Sequence, residues 1–271
     1  PWATARRVEV VRPIAPGEPH HRAFEERCEP LDWFDAILMR KDPPFDLAYL
    51  YATHLLSLAD PTKTFVLNDP RGLRDANEKL YALHFPDLIP PTLVTSDNRR
   101  LKEFLSEVGG EMVVKPLDGF GGIGIFHVHT NDRNLNAILE TATDHGRRMT
   151  MAQRYLPEVR QGDKRIILLD GKPLGALLRV PREDESRSNM AVGGAGMKGD
   201  LTDRDREICA QVAPRLAADG LYFVGLDVIG GYLTEVNVTS PTGIQEIDRH
   251  DGVHLEADIL NFIEARVRGL G

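Results

Sequence analysis

Three residues late in the chain have types and spacing suited to joint chemistry. The stretch Tyr232–Thr242 reads YLTEVNVTSPT. Side chains in a strand alternate faces with period two. Val236 and Val238 then point one way, and Glu235, Asn237 and Thr239 the other. Just upstream, YFVGLDVIG puts Asp227 on another apolar strand. Two neighbouring strands would therefore aim two carboxylates and an amide at one region. Carboxylates about 4 Å apart repel by roughly 1–4 kcal/mol at effective dielectrics of about 80 to 20. A dication turns that repulsion into attraction, and Mg²⁺ commonly takes one or two carboxylates plus substrate phosphates. Ordinary salt bridges are the alternative, because carboxylates are rarely buried unpaired. Asn237-Val238-Thr239 also matches a glycosylation sequon, but inside an apolar strand that is a chance match.

A second candidate is the glycine loop KPLDGFGGIGIFHV, with Gly119, Gly121 and Gly124 in GxGxxG spacing. The dinucleotide fingerprint needs a strand before and a helix after it. Here EMVVK precedes and IGIFHV follows, and both read as strands. The loop is thus a strand-to-strand turn, whose free N–H groups can nest phosphate oxygens and whose glycines allow close approach. On the glycines alone, a plain hairpin turn fits equally well. Lys115 ends the entering strand, and Lys79 lies on the preceding predicted helix. Lysine is a compact charge suited to phosphate, although a lone lysine is usually a solvated one. His127 and His129 share a strand face, but no third metal ligand accompanies them. Cys28 and Cys209 form no metal spacing and are expected to be reduced and mostly buried.

The elements that must position these groups fall into two patterns, which makes the fold class α/β. FDAILMR (Phe34–Arg40) predicts a strand ended by KDPP. LAYLYATHLLSLA predicts a helix with Leu47, Leu50, Tyr51 and Leu55 on its apolar face, and TFVLN the next strand. Strand, helix, strand is a parallel unit. DPRGLRDANEKLYALHF reads as one helix with Leu73, Ala76, Leu80 and Leu83 aligned. TLVTSDNRRLKEFLSEVGG gives a strand, a capped helix and a glycine stop. From Glu111 onward, EMVVK, IGIFHV, MTMAQRYL, KRIILLDG and PLGALLRV predict one antiparallel sheet, with a helical stretch at Asn134–His145. Residues 181–199 read as a long polar loop, a lid or binding loop. Thr202 and Asp205 form a capping box before a helix carrying Ile208, Val212 and Leu216, in which Pro214 predicts a kink or break. Two strands and a helix (Leu255–Val267) complete the chain.

At 271 residues the chain is one large or two ordinary domains. Its formal charge of −8 argues against broad nucleic-acid binding. No apolar run is long enough for a bilayer span and no signal-peptide pattern opens the chain, so a cytoplasmic protein is expected. The start, PWATARRVEVVRP, reads like the middle of a domain, with a preceding piece missing.

In order, ILMRKDPPFD, LRDANEKLYA, KPLDGFGG, QRYLPEVRQGDKRI, RSNMAVGG and GLDVIGGYLTEVNVTSPTGI resemble the bacterial glutathione synthetases of the ATP-grasp superfamily. The resemblance runs from about Phe34 to the end, and residues 1–30 match poorly. It implies a parallel α/β domain over 1–75, lacking its first strand and helix. A two-part α+β ATP-grasp domain would follow over 76–271, with a lid at 181–199. It implies that Lys79, Lys115, Gly121 and Gly122 hold ATP phosphates. Gln153, Tyr155 and Leu156 would face adenine, and Asp163 the ribose. Mg²⁺, with Mn²⁺ as substitute, would sit on Asp227, Glu235 and Asn237. Arg179, Arg187, Asn189 and Gly194 would serve the phosphoryl transfer, and Arg182 a surface salt bridge. Arg40, Asp42, Arg165, Ser240 and Thr242 would bind substrate. The implied reaction joins γ-glutamylcysteine to glycine with ATP, through an acyl phosphate, in a homotetramer without nucleic-acid or membrane partners. The rivals are another ATP-grasp carboxylate–amine ligase and a nucleotide-binding protein without catalysis.

Overall fold

The computed structural model describes residues 1–11, 19–182 and 195–269. Strands β1 (Trp2–Val10) and β2 (His21–Pro30) form a largely exposed antiparallel hairpin, which the sequence did not announce. Strand β3 (Ala36–Leu38), helix α1 (Leu47–Leu56) and β4 (Phe65–Leu67) form the expected unit, with β3 and β4 parallel. Asp46 caps α1 by accepting the Tyr49 N–H at 2.7 Å. The buried face of α1 is not the expected one. Tyr49 and Thr53 are buried, whereas Leu47, Tyr51 and Leu55 are 65%, 59% and 58% exposed. Periodicity marks an apolar stripe but not the side on which the chain supplies a partner. Here Phe45 packs on Tyr49, and Arg74 donates to the Thr53 carbonyl.

Helix α2 (Pro70–Asp75) is shorter than expected. Asp69 caps it, but the chain leaves the helix at Ala76. The Asn77 side chain accepts the N–H groups of Lys79 and Leu80, and a 3-10 segment follows over Leu80–His84. Asn offers the backbone a local alternative to the helical ladder. Lys79 thus lies at a break between helices rather than on a helix.

Strand β5 (Thr92–Thr95) leads to α3 (Asn98–Glu107), capped by Asp97 and stopped at Gly109 and Gly110. Then come β6 (Glu111–Pro116), β7 (Phe126–His129), α4 (Leu135–Ala142) and β8 (Thr150–Arg154). These strands form an antiparallel sheet in the order β5-β8-β6-β7, whose Met112, Val114 and Val128 pack against Leu101, Leu105 and Leu139 of the helices.

After a 3-10 turn at Pro157–Arg160 a separate sheet begins, so the expectation of one sheet is corrected. Proline cannot donate to a ladder, and the chain leaves the first sheet there. The second part comprises β9 (Asp163–Leu169), β10 (Lys172–Val180), β11 (Ala195–Lys198), α5 (Asp203–Ala218), β12 (Phe223–Ile229), β13 (Tyr232–Asn237), α6 (Ile244–Asp251) and α7 (Leu255–Arg268). Its strand order is β11-β10-β9-β12-β13. Both faces are covered. Ile166 and Leu168 join the α5 side, while Ile167 and Leu169 join Ile247, Ile259 and Ile263 of α6 and α7. Helix α5 opens with the Thr202–Asp205 capping box and runs through Pro214 without the expected break. Burial of Ile208, Val212 and Leu216 offsets the one hydrogen bond that proline removes. Residues 195–198 of the expected polar loop are a strand paired with β10, and residues 183–194 lie outside the described residues. Cys209 is buried, but Cys28 is exposed on the hairpin, contrary to expectation.

Candidate active site

The site is built on the β12–β13 hairpin. Its register sets Asp227 opposite Glu235 and Gly225 opposite Asn237, while Val236 and Val238 are buried on the other face. The alternation read from the sequence therefore holds. On the other side of β12, Arg165 of β9 lies opposite Asp227. Arg165 Nε donates to Asp227 Oδ1 at 2.5 Å and Nη2 to Oδ2 at 3.0 Å. Arg179 Nη2 reaches Asp163 Oδ2 at 2.6 Å and Asp227 Oδ1 at 2.9 Å. All four side chains are at most 10% exposed. A side chain at Gly225 would meet the Arg165 stem at 3.0 Å, so glycine there leaves the guanidinium its path. Burial alone would raise the Asp227 pKa, but the two guanidiniums outweigh it and hold the carboxyl well below its usual range. For Arg179 the same balance raises the pKa: burial opposes its charge, and Asp163 and Asp227 outweigh burial.

Lys79 Nζ donates to the Gly119 carbonyl at 2.5 Å and meets Glu235 Oε1 at 3.0 Å. Lys115 Nζ donates to Gln153 Oε1 at 2.6 Å, and Gln153 donates onward to Thr92 Oγ1. Burial, reinforced by Lys79, lowers the Lys115 pKa despite Glu235. Between β6 and β7 the turn has Gly121, Gly122 and Gly124 at φ of 61°, 82° and 74°, where a larger residue is strained. A strand and not a helix follows, as the flanking segments predicted against the GxGxxG spacing.

One cavity unites all eight of the expected nucleotide residues. Lys79, Lys115, Gly121, Gly122, Asp227 and Glu235 line its charged part. Gln153, Tyr155, Leu156 and Asp163 also line it, together with apolar Val113, Ile125 and Ile229. His127 is a wall of this cavity that sequence reasoning missed: its ring stacks on Tyr155 at 3.8 Å, and Nε2 lies 3.0 Å from Glu111. The face it shares with Val113 through the β6–β7 register was the available signal.

An adjoining cavity gathers Asp42, Arg165, Arg179, Asn237, Ser240 and Thr242. Arg40 does not line it. Its guanidinium donates to the Pro241 carbonyl at 3.2 Å and lies over the Phe223 ring. Arg187, Asn189 and Gly194 lie outside the described residues, whereas Arg182 is described. Glu78, also missed, lines this second cavity.

The donor set suits a hard dication. Asn237 Nδ2 donates to Gly225 O and Asp227 Oδ2, so its carbonyl oxygen is the remaining donor atom beside the Glu235 carboxylate. Asp227 oxygens already carry guanidinium contacts, so a cation would share them.

A four-stranded and a five-stranded antiparallel sheet, with two lysines and a glycine turn meeting a carboxylate pair, define an ATP-grasp enzyme, an ATP-dependent carbon–nitrogen ligase. Solved structures carry the fold. D-cycloserine synthetase DcsG aligns with a TM-score of 0.65 at 18% identity, covering 89% of this chain and 86% of that one. D-alanine–D-alanine ligase from Bacillus anthracis, complexed with ATP, aligns at 0.54 and 17% identity, covering 75% and 70%. Family models narrow the class. Residues 78–252 match the ATP-grasp domain of prokaryotic glutathione synthetase, and residues 1–74 match its N-terminal domain. The chain belongs to the prokaryotic glutathione synthetase family. Glutathione synthetase of Gloeobacter violaceus is 60% identical over 239 residues, 86% of this chain and 74% of that protein. The Nitrosomonas europaea enzyme is 47% identical over 273 residues, 98% and 85%. The N-terminal match takes in residues 1–30, so the expectation that they match poorly is corrected.

Proposed function

We propose that the chain condenses γ-glutamylcysteine with glycine, using ATP, to give glutathione, ADP and phosphate. The observation that carries this reading is the convergence of Lys79, Lys115, the glycine turn and the Asp227–Glu235 pair on one cavity. Lys79 and Lys115 exchange their protein acceptors for phosphate oxygens, and the turn's N–H groups add uncharged donors. Gln153, Tyr155 and Leu156 hold the base, and Asp163 the ribose. Arg165 and Arg179 offer forked donors to the substrate carboxylate and the phosphoryl group, beside Ser240 and Thr242. Asp227, Glu235 and Asn237 would hold Mg²⁺ or Mn²⁺, which when bound neutralises phosphate charge. The terminal phosphoryl group passes to the cysteinyl carboxylate, the glycine amine attacks the acyl phosphate, and phosphate leaves. Catalysis here is positioning and charge neutralisation.

This reading keeps a domain division near residue 75, a cytoplasmic location and a homotetramer. The exposed face of α1 supports self-association, and sedimentation velocity tests it. Among the described residues no helix is long and apolar enough to cross a membrane. The deciding experiment labels the cysteinyl carboxylate of γ-glutamylcysteine with ¹⁸O. Label must appear in inorganic phosphate. Pyrophosphate, or label in AMP, would overturn the acyl-phosphate route, and ADP release indifferent to either substrate would overturn the ligase reading.

A further inference from the structure

The helix break at Ala76–Lys79 delivers Lys79, but the residue before it makes more contacts. Glu78 Oε1 accepts the Val238 N–H at 2.9 Å, the Thr239 N–H at 3.0 Å and the Thr239 hydroxyl at 2.8 Å. The Glu78 carbonyl accepts the Val236 N–H at 3.0 Å. One residue thus satisfies three amides in and just beyond the strand carrying Glu235 and Asn237. Those amides need partners, because β13 is an edge strand of its sheet. The contact also anchors the substrate segment next to it. Ser240–Thr242 continues from Thr239, and the Pro241 and Thr242 carbonyls accept from Arg40 and Arg165.

From these contacts we infer that Glu78 is a positioning residue, setting the phosphate-binding Lys79 in register with the carboxylate strand of β13. Its neighbour Lys79 meets Glu235 at 3.0 Å because of this registration. It ties together, at the level of the site, two side chains from segments far apart in the chain, nearer to Lys79 than the Leu233 N–H to Leu88 carbonyl bond does. The role is that of the outer contacts that orient metal and phosphate ligands. A charge-only role is a different reading, and it separates cleanly. Glutamine keeps an acceptor oxygen for all three donors and loses only the charge; alanine loses both.

The inference rests on the ligase reading of this site, so the test has two arms. The first measures kcat, KM for ATP and the Mg²⁺ concentration for half-maximal rate in wild type, Glu78→Gln and Glu78→Ala. Glu78→Ala should lose roughly 10–100-fold in kcat or Mg²⁺ affinity, the range for outer-contact residues, and Glu78→Gln should recover most of it. The second arm measures Mg²⁺–ADP affinity by calorimetry, which needs no turnover. If wild type fails to use γ-glutamylcysteine and glycine, the ligase reading fails, while the affinity difference between variants still judges positioning. Equal loss in Gln and Ala variants would overturn the inference in favour of charge. So would a Glu78→Ala protein with wild-type kcat and Mg²⁺ dependence per folded molecule. Should the alanine variant not fold, hydrogen exchange in wild type decides. Val238 and Thr239 amides must be strongly protected, and rapid exchange there would sink the proposal.

Discussion

Replacing Asp227 by Asn should destabilise the protein far more than replacing Glu235 by Gln, although both should abolish turnover. Asp227 oxygens accept from Arg165 Nε and Nη2, from Arg179 Nη2 and from Asn237 Nδ2. Asn keeps the shape but removes the anion. Arg165 then loses the carboxylate it pairs with, and Arg179 keeps Asp163 but loses Asp227. Breaking a buried pair in this way costs about 3–5 kcal/mol, because a desolvated charge loses its counter-ion. The Glu235 side chain is 23% exposed, and Lys79 keeps its Gly119 contact, so Glu235→Gln should cost about 1 kcal/mol or less. At about 2–4 °C per kcal/mol the first variant melts at least ~6 °C lower and the second within ~4 °C of wild type. The pH dependence has a definite sign. The Asp227 pKa is depressed in the folded state, so its contribution is complete above the unfolded value of about 3.9 and fades only as pH falls below it. The gap between wild type and Asp227→Asn should therefore be flat from about pH 5 to 8 and shrink in acid. Urea unfolding at several pH values measures both. Equal costs for the two variants, or an Asp227→Asn cost under about 1 kcal/mol, would refute the assigned balance of burial and pairing.

Lys115→Met should abolish ATP binding by calorimetry yet raise stability on the order of 1 kcal/mol, or ~2–4 °C, since burial disfavours the charged lysine. Its folded pKa lies below the unfolded one, so wild type should gain stability as pH rises through the folded value, and the variant should not. Gly121→Ala should cost about 1–2 kcal/mol through its left-handed backbone and weaken nucleotide binding in a fluorescence titration. Exposed Cys28 should react with maleimide in the native protein, whereas Cys209, buried and with its thiol pushed up to about 11, should react only on unfolding, as peptide mass mapping can show.

The features legible in the sequence and those hidden from it divide along a physical line. Period-two alternation is local, so the shared face of Glu235, Asn237 and Thr239 could be read before any fold was known. The same holds for the strands flanking the glycine turn and for the capping box of α5. Partners across strands are not local. β9 lies between β10 and β12 in the sheet, and that order alone brings Arg165 and Arg179 onto Asp227. The family resemblance pointed to the arginines without revealing that they already neutralise the carboxylate. The α1 error has the same origin, because a helix with apolar residues on several sides is oriented by its surroundings.

The break at Ala76 is the sharpest case. Leu73, Ala76, Leu80 and Leu83 have helical spacing, and most residues of LRDANEKLYA, apart from Asp75 and Asn77, favour a helix. A continuous helix would leave the amides of Val236, Val238 and Thr239 to find other partners. Each buried amide without one costs about 1–3 kcal/mol, more than the few tenths per residue that helix propensity offers over this stretch. The chain therefore surrenders the helical bonds near Asn77 and gains four at the far strand, counting the Thr239 hydroxyl. Lys79 is carried to Glu235 by that exchange. At this break long-range hydrogen bonding has outweighed a local pattern, and the failure marks a place where two parts of the site are joined.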